Sequence, residues 1–447
     1  MLRAIASVDC PQMKISVIGL GYLGATHAVA MAKLGHSVIG IDKDQAKVES
    51  LRNGQIPFFE PGLSDALKEV IKEGKVQFQT SHDENSASAD LHFLCVGTPQ
   101  SPDGSANTSY LYAAIEDLAP YLSNAAVVVG KSTVPVGTAQ SLKDNLQAAV
   151  GFEPRLIWNP EFLKEGTALE DSLKPDRIVI GYWQKEDSFP LLVAYEKLIQ
   201  AGSPVVELDV PTAELVKVAA NAFLATKVSF INAMAEVAEV VGADAVALSK
   251  AIGYDERIGN KFLRSGIGFG GGCLPKDIRG FIARAEELGV GQALSFLKEI
   301  DGINERRRQR VVELAEQELG NLSGKKITVL GISFKPNSDD LRESPALEIA
   351  RSLAKAGAVV TVTDPKALHG LTDSNLSPQA DTLAALTGAE LVILGTEWDE
   401  YKQLNPAAAK AKVTSATVID GRNVLDVAAW QAAGWRVLAL GRTINND

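Results

Sequence analysis

A cysteine near the middle of the chain has the sequence context of a nucleophile. The segment GIGFGGGCLPKD, residues 266–277, places Cys273 after a glycine-rich loop and before a Pro-Lys-Asp step. Glycines let a backbone wrap closely around a ligand, and a neighbouring Lys276 or a helix that begins after Pro275 would favour the reactive thiolate. A buried structural cysteine is the alternative, and we assign that role to Cys95, which lies in the apolar run LHFLCV.

Two polar residues on one predicted helix form a second candidate pair. Residues 211–241 contain no internal glycine or proline and are followed by Gly242, which predicts a single helix about 45 Å long. Lys217 and Asn221 are four residues apart, so this helix places them on the same face. A lysine and an amide directed into a site stabilise a developing alkoxide or oxyanion. A solvated helix face would bring the two together by chance, and spacing alone leaves both interpretations open.

The N-terminal part carries a dinucleotide fingerprint. Gly19, Gly21 and Gly24 follow the strand pattern KISVI and open a helix, and Asp42 ends the next strand about 20 residues further on. Gly19 permits the tight turn, Gly21 lets the backbone approach the pyrophosphate, and Gly24 lets helix and strand pack closely. Asp42 would accept hydrogen bonds from the ribose hydroxyls and would repel a 2′-phosphate, which favours NAD over NADP.

Short β-rich runs alternate with helical patterns in two separate parts of the chain. The first part contains KISVIG, SVIGID, LHFLCVG, AAVVVGKS and RIVIGY, and the last contains KKITVLG, AVVTVTD, LVILGT, ATVID and WRVLAL. This alternation is typical of parallel sheets covered by helices. The second set continues into GISFK at residues 331–335, which lacks the three-glycine spacing and need not bind a dinucleotide.

Composition excludes several classes of function. The net charge of −11 offers no basic stripe for nucleic acid. Three cysteines cannot build a disulfide framework or a zinc-spaced cluster, and the five histidines form no metal-like group, so we expect no metal and a reducing, cytoplasmic location. We also expect no membrane association, because no apolar run approaches the required length. The first strand pattern begins only at Met13, so the segment before it is either a disordered extension or the product of an upstream start codon.

Further motifs accompany these three features. In chain order the sequence reads GLGYLG, IPFFEPGL, VGTP, KSTVPVGT, NPEFLKEG, PDR, AELVKVAANAFLATKVSFIN, DERIGNKF, GFGGGCLPKD, GISFKPNSDDLRESPA, TDP and DGRN. This series resembles the UDP-glucose/GDP-mannose dehydrogenase family from Lys14 to about Asp426. The resemblance implies an α/β protein with two Rossmann-like, doubly wound domains joined by a long central helix and a helical dimerisation region.

The resemblance also implies domain boundaries and a reaction. Residues 1–210 would form the NAD-binding domain, 211–310 the central helical dimerisation domain and 311–447 the UDP-sugar-binding domain. The implied activity is the NAD-dependent four-electron oxidation of UDP-glucose to UDP-glucuronate through a thiohemiacetal and a thioester of Cys273. A homodimer or a higher homo-oligomer is expected.

Site residues are carried over by motif. The implied catalytic residues are Cys273, Lys217, Asn221, Asp277, Glu161, Glu165 and Thr133, and which of the carboxylates acts as the general base stays open. The implied NAD contacts are Gly19, Gly21, Leu23, Gly24, Asp42, Lys47, Thr98, Thr133, Glu165, Lys276 and Arg342. The implied substrate contacts are Glu161, Phe162, Leu163, Lys164, Glu165, Lys217, Asn221, Arg257, Phe262, Leu263, Arg264, Ser265, Gly266, Gly271, Lys335 and Arg422. Among them, Arg257 would act across the dimer interface, and Arg264 and Arg422 would contact phosphate or sugar.

Two positions depart from the family pattern. Gly272 stands where many relatives carry serine, which predicts a looser loop around the thiol, and Lys164 replaces a common arginine. Neither change removes a group that the chemistry requires. GDP-mannose oxidation is the nearest alternative activity, and a catalytically silent NAD-binding relative is the alternative of another class.

Overall fold

A computed structural model describes residues 12–446. Cys10 lies outside these residues. The segment before Met13 also lies outside them, except for Gln12. The described chain separates into two compact units, of which the first ends at Ala220 and the second begins at Asn221.

The first unit is built around a largely parallel sheet. Its strands are β1 (Lys14–Ile18), β2 (Ser37–Ile41), β3 (Val76–Gln79), β4 (Leu91–Leu94), β5 (Val127–Gly130), β6 (Arg155–Trp158), β7 (Ile178–Gly181) and β8 (Val205–Leu208). They lie in the order β3-β2-β1-β4-β5-β6-β7-β8, and only the β6–β7 pairing is antiparallel. The chain reverses direction across the sheet between β1 and β4, which is the switch point where such folds bind ligands.

Helices cover both faces of this sheet. They are α1 (Tyr22–Lys33), α2 (Gln45–Arg52), α3 (Leu63–Lys72), α4 (Glu84–Ala87), α5 (Ser109–Leu118), α6 (Thr138–Val150), α7 (Ala168–Leu173), α8 (Phe189–Ala194) and α9 (Glu196–Gln200), with 3₁₀ turns at Ala119–Tyr121 and Lys185–Ser188. The strands are short apolar runs, such as Val127–Gly130, that are buried on both faces. Two apolar clusters therefore form, one on each side of the sheet.

The long helix α10 (Val210–Val241) runs through the boundary of the two units. Asp209 caps it, since its carboxylate accepts the Thr212 N–H at 2.8 Å, and Gly242 follows its last residue with a φ of +73°. The expectation that no stretch is apolar enough to span a bilayer was wrong for this helix, because its many alanines and valines give it sufficient length and apolar character. Core helices of water-soluble proteins meet the same criterion, and 44% of its most apolar window is buried.

The second unit contains the other predicted sheet. Its strands are β9 (Lys326–Leu330), β10 (Val359–Thr363), β11 (Leu376–Pro378), β12 (Leu391–Leu394), β13 (Thr417–Asp420) and β14 (Arg436–Ala439), all parallel in the order β11-β10-β9-β12-β13-β14. Its helices are α11 (Ala245–Gly253), α12 (Leu274–Glu287), α13 (Phe296–Leu319), α14 (Pro345–Lys355), α15 (Thr382–Ala385), α16 (Asp399–Lys402), α17 (Pro406–Lys410) and α18 (Val427–Ala432), with 3₁₀ turns at Gly291–Leu294 and Leu368–Gly370. Both sheets thus have the strand order of a Rossmann fold, which confirms the predicted fold class.

Candidate active site

The turn after β1 has the geometry of a dinucleotide-binding turn. Gly19 adopts a φ of +87°, and a Cβ on Gly24 would lie 1.7 Å from the Gly19 carbonyl oxygen. A Cβ on Gly21 would meet nothing within 4 Å, so this face is open. Helix α1 begins at Tyr22 without a side-chain cap, which leaves its first amides available to an anion. These residues fit a pyrophosphate group.

Asp42 is held as a carboxylate at the end of β2. It accepts hydrogen bonds from the Leu20 N–H at 2.7 Å, the Asp44 N–H at 3.0 Å and the Lys47 ammonium at 2.8 Å. Burial raises the pKa of Asp42, but the Lys47 contact and the backbone donors outweigh it and place the pKa below its ordinary value. An ionised acceptor at this position suits the ribose hydroxyls of NAD.

Two loops at neighbouring strand ends meet beside this turn. Thr98 follows β4 and Thr133 follows β5, and the Thr98 hydroxyl donates to the Thr133 carbonyl at 2.7 Å. The two strands are parallel partners, so their carboxyl ends lie at the same edge of the sheet. The structure therefore brings together two residues that the sequence predicts as NAD contacts.

Lys217 and Glu161 form a nearly buried ion pair. The Lys217 Nζ lies 2.9 Å from the Glu161 Oε1, and the two side chains are 7% and 11% exposed. The other carboxylate oxygen of Glu161 accepts the Leu163 N–H at 2.8 Å. The Phe162 ring centroid lies 5.6 Å from the Lys217 Nζ. The predicted lysine is therefore oriented by a predicted carboxylate.

A small pocket opens beside Glu161. Its volume is about 70 Å³, and its lining includes Leu23, Lys131, Glu161, Phe162, Leu163 and Lys164. This volume exceeds that of one water molecule, so the pocket can hold ordered water or part of a ligand. The polar groups in its wall can orient what it holds.

Asn221 and Asp277 form a corresponding contact in the second unit. The Asn221 Nδ2 donates to the Asp277 Oδ2 at 2.7 Å, and the Lys276 Nζ lies 2.7 Å from the Asp277 Oδ1. Asp277 is buried, and its N–H donates to the Cys273 carbonyl at 2.9 Å. The amide predicted from helix spacing is thus fixed by a carboxylate one turn after the cysteine.

Cys273 occupies the N-cap position of α12, and its side chain is exposed. The partial positive charge at a helix N-terminus stabilises a thiolate. Cys95 is buried, and burial raises the pKa of its thiol to about 12. Only Cys273 of these two cysteines therefore has the exposure of a nucleophile.

The glycines before Cys273 allow close contacts. A Cβ on Gly271 would lie 2.6 Å from the Phe334 ring, and one on Gly272 would lie 2.4 Å from the Arg342 guanidinium carbon. The Gly271 N–H donates to the Arg342 carbonyl at 3.0 Å. Gly272, predicted to loosen the loop, makes room for Arg342 beside it.

Other predicted site residues of the second unit have varied surroundings. Arg422 donates to the carbonyls of Gly395, Gly268 and Phe334 at 2.7, 3.1 and 3.2 Å, so its guanidinium ties backbone segments together. The Lys335 Nζ lies 5.2 Å from the Phe334 ring centroid. Arg257 is highly exposed and pairs with Asp255 at 2.6 Å.

The remaining substrate candidates lie on one segment, residues 262–266. Phe262 is exposed with a φ of +62°, whereas Leu263 and Ser265 are buried and Arg264 is exposed. The Gly266 N–H donates to the Asn232 Oδ1 at 2.9 Å. Asn232 and Asn423, which bonds Ser265 at 3.2 Å, are supporting residues that the sequence did not single out.

A buried polar network behind Glu161 was also missed. The Lys131 Nζ lies 2.9 Å from the Asn159 Oδ1, which accepts the Tyr195 hydroxyl at 2.8 Å. Burial lowers the pKa of Lys131 to about 8. Lys131 and Asn159 open the motifs KSTVPVGT and NPEFLKEG, so membership in a motif was the available signal.

Comparison with known proteins decides the family. The UDP-glucose/GDP-mannose dehydrogenase family matches through its NAD binding domain at residues 13–199, its central domain at 211–306 and its UDP binding domain at 328–427. The chain belongs to this family. It is therefore an NAD-binding dehydrogenase that acts on a nucleotide sugar.

Individual relatives resemble nearly the whole chain. UDP-glucose 6-dehydrogenase YwqF of Bacillus subtilis is 39% identical over 439 residues, which cover 96% of this chain and 98% of that protein. The structure of a UDP-glucose dehydrogenase from Pyrobaculum islandicum matches with a TM-score of 0.90 at 38% identity and covers 98% of this chain and 100% of that one. The UDP-D-ManNAc dehydrogenase structure from Pyrococcus horikoshii matches with a TM-score of 0.84 at 26% identity, covering 96% and 99%.

Proposed function

We propose that the chain oxidises UDP-glucose to UDP-glucuronate in two successive two-electron steps. The observation that carries this proposal is the exposed Cys273 at the start of α12, with Asp277 one turn away and bonded to Asn221. A simple alcohol dehydrogenase has no use for such a thiol. The names of the relatives favour UDP-glucose among nucleotide sugars.

NAD, when bound, supplies the hydride acceptor for each oxidation. Gly19, Gly21 and Gly24 would receive its pyrophosphate, and Asp42 would bind its ribose. One alcohol, two NAD and one water then give one carboxylate, two NADH and three protons.

The protein's own groups have distinct tasks in this scheme. The thiolate of Cys273 adds to the aldehyde carbon formed in the first oxidation and gives a thiohemiacetal, whose oxidation gives a thioester. Water then breaks the carbon–sulfur bond and releases the carboxylate and the thiol. Lys217 and Asn221 donate hydrogen bonds to the oxygen that carries negative charge in these steps.

Two carboxylates keep these donors in place. Glu161 orients the Lys217 ammonium at 2.9 Å, and Asp277 orients the Asn221 amide at 2.7 Å. We propose that Asp277, which lies one helical turn from the thiol, also accepts its proton. Positioned groups of this kind contribute more than their hydrogen bonds alone, because they are already aligned when charge develops.

The test is the amount of NADH released per nucleotide sugar consumed. UDP-glucose and GDP-mannose are compared, with Cys273→Ser as the control variant. Two NADH per UDP-glucose, and loss of this yield in Cys273→Ser, are expected. One NADH per sugar would remove the thioester route, turnover of GDP-mannose alone would change the substrate, and no turnover of either would favour a silent relative.

We also propose that α10 mediates self-association into a homodimer. Phe223, Phe230 and Val237 are exposed and spaced by seven residues, so they form an apolar stripe on one side of this helix. Phe230→Glu should lower the molar mass measured by light scattering to that of a monomer. An unchanged mass would place the contact elsewhere.

A further inference from the structure

The buried carboxylate of Glu60 lies in the motif IPFFEPGL, to which no task in the reaction has been given. Glu60 is 6% exposed. Its Oε1 accepts the Ala168 N–H at 2.7 Å, and its Oε2 accepts the Gly166 N–H at 2.7 Å. The Tyr22 hydroxyl donates to the same Oε2. One carboxylate therefore joins two segments that are more than a hundred residues apart in sequence.

The first of these segments is the dinucleotide-binding turn. Tyr22 is the first residue of α1 and lies between the second and third glycines of GLGYLG. Its ring packs against Phe58 with the centroids 4.6 Å apart. Burial and the hydrogen bond with Glu60 raise the pKa of Tyr22, so its hydroxyl keeps its proton and remains a donor.

The second segment carries the two carboxylates of NPEFLKEG. Gly166 directly follows Glu165 and has a φ of +83°, and its N–H also lies 3.2 Å from the Tyr22 hydroxyl oxygen. Ala168 is the first residue of α7. The contacts with Glu60 therefore fix the end of the loop that begins at Glu161.

The chemistry of this contact is suited to holding a loop. An ionised carboxylate is a strong acceptor with room for more than two donors, and its hydrogen bonds to N–H groups are stronger than those between neutral groups. Glutamine offers a single acceptor oxygen, and its amide N–H₂ would face one of the existing donors. The position therefore requires an acid rather than a polar residue of the same size.

We propose that Glu60 is a positioning residue that holds the Glu161–Gly166 loop against the first turn of α1. It thereby keeps Glu161, and with it Lys217, in a fixed place relative to the dinucleotide-binding turn. This inference rests on the proposed function for its effect on turnover. Its structural part, the hold on Gly166 and Ala168, can be measured without any substrate.

The test compares Glu60→Gln with Tyr22→Phe and with Val70→Ala. Val70 is a buried core residue of α3, the helix that follows Glu60, and Val70→Ala weakens the same region without touching the carboxylate. Hydrogen–deuterium exchange is measured at the Gly166 and Ala168 amides of the protein without ligands. Steady-state kinetics with UDP-glucose and NAD, and urea unfolding, are measured on the same samples.

In Glu60→Gln we expect faster exchange at both amides. We also expect kcat to fall by on the order of 10- to 100-fold, because small displacements of catalytic groups, here Glu161 and Lys217, have effects of this size. Tyr22→Phe keeps both backbone contacts of Glu60, and its kcat should fall about fivefold, which corresponds to the free energy of one hydrogen bond. Val70→Ala should keep the wild-type kcat and the wild-type exchange at both amides.

Three results would overturn the proposal. The first is unchanged exchange at Gly166 and Ala168 in Glu60→Gln. The second is faster exchange with a wild-type kcat, which would make the contact purely structural. The third is an equal loss of kcat in Glu60→Gln and in Val70→Ala when the two variants have the same free energy of unfolding. Failure of the wild-type protein to oxidise UDP-glucose is a separate outcome, since it would refute the proposed function and leave the exchange result standing.

Discussion

Removing one member of the Lys217–Glu161 pair should cost both stability and turnover. The atoms are 2.9 Å apart, and at an effective dielectric constant of about 20 their attraction is about 6 kcal/mol. Desolvation of the two charges offsets part of this attraction, but a single substitution removes the attraction and leaves the remaining side chain nearly buried. Lys217→Met and Glu161→Gln should therefore each lower the free energy of unfolding by about 3 to 5 kcal/mol.

The double variant distinguishes this reasoning from a general packing defect. Lys217→Met combined with Glu161→Gln removes both charges of the pair, so it should be at least about 2 kcal/mol more stable than the sum of the single losses predicts. Turnover should not return, because in the proposed mechanism Lys217 supplies the donor to the reacting oxygen; a loss of about 10²- to 10³-fold is expected.

The assay is urea unfolding followed by circular dichroism, together with NADH formation from UDP-glucose. Lys33→Met is the matched control, since its ion pair with Glu69 at 2.8 Å is much more exposed, and such pairs contribute about 0 to 1 kcal/mol. Strict additivity of the two single losses, or a Lys217→Met variant as stable as Lys33→Met, would refute the reasoning.

Three further predictions concern the charge of Lys131, the choice between NAD and NADP, and the glycine loop before Cys273. The folded pKa of Lys131 is about 8, which is below its unfolded value, so its contribution to stability is present above about pH 10.5 and is lost as the pH falls through 8. The free energy of unfolding of the wild type should therefore rise by up to about 3 kcal/mol between pH 8 and pH 10.5 relative to Lys131→Met. Parallel pH profiles of the two proteins would contradict this prediction. Asp42→Asn should weaken NAD binding by about 10-fold and raise relative use of NADP, measured by titration with both cofactors; an unchanged preference would remove Asp42 from the ribose site. Gly272→Ser should fold like the wild type, because the Arg342 guanidinium that it meets is the end of a flexible side chain, and its kcat should change by less than about fivefold; a large loss of folded protein on urea titration would show that Arg342 cannot move.

Local patterns in the sequence predicted the elements well. Each β-rich run singled out in the two parts of the chain contains a strand, and the two strand orders confirm the predicted fold class. Residues 211–241 form the expected helix, one residue longer at its start. These features depend on the periodicity of apolar residues and on glycine or aspartate at turns, which act over a few neighbouring residues. The motif series also indicated the family that the comparisons confirm.

Partners across long distances in sequence could not be predicted in this way. Lys217 bonds Glu161 and Asn221 bonds Asp277, each over a separation of 56 residues. Spacing placed the lysine and the amide on one helix face but left a solvated face equally possible. Only the packing of other segments against α10 buries the two side chains and supplies their carboxylates.

The sequence by itself determined the strands, the long helix, the dinucleotide turn and the family, because each depends on local spacing or on motifs read in order. The tertiary structure decided which polar groups meet: Glu60 with Tyr22, Lys131 with Asn159, and Arg422 with three backbone carbonyls. The reason is physical. A buried polar group must find hydrogen-bond partners wherever the fold supplies them, and the sequence does not specify which distant segment that will be.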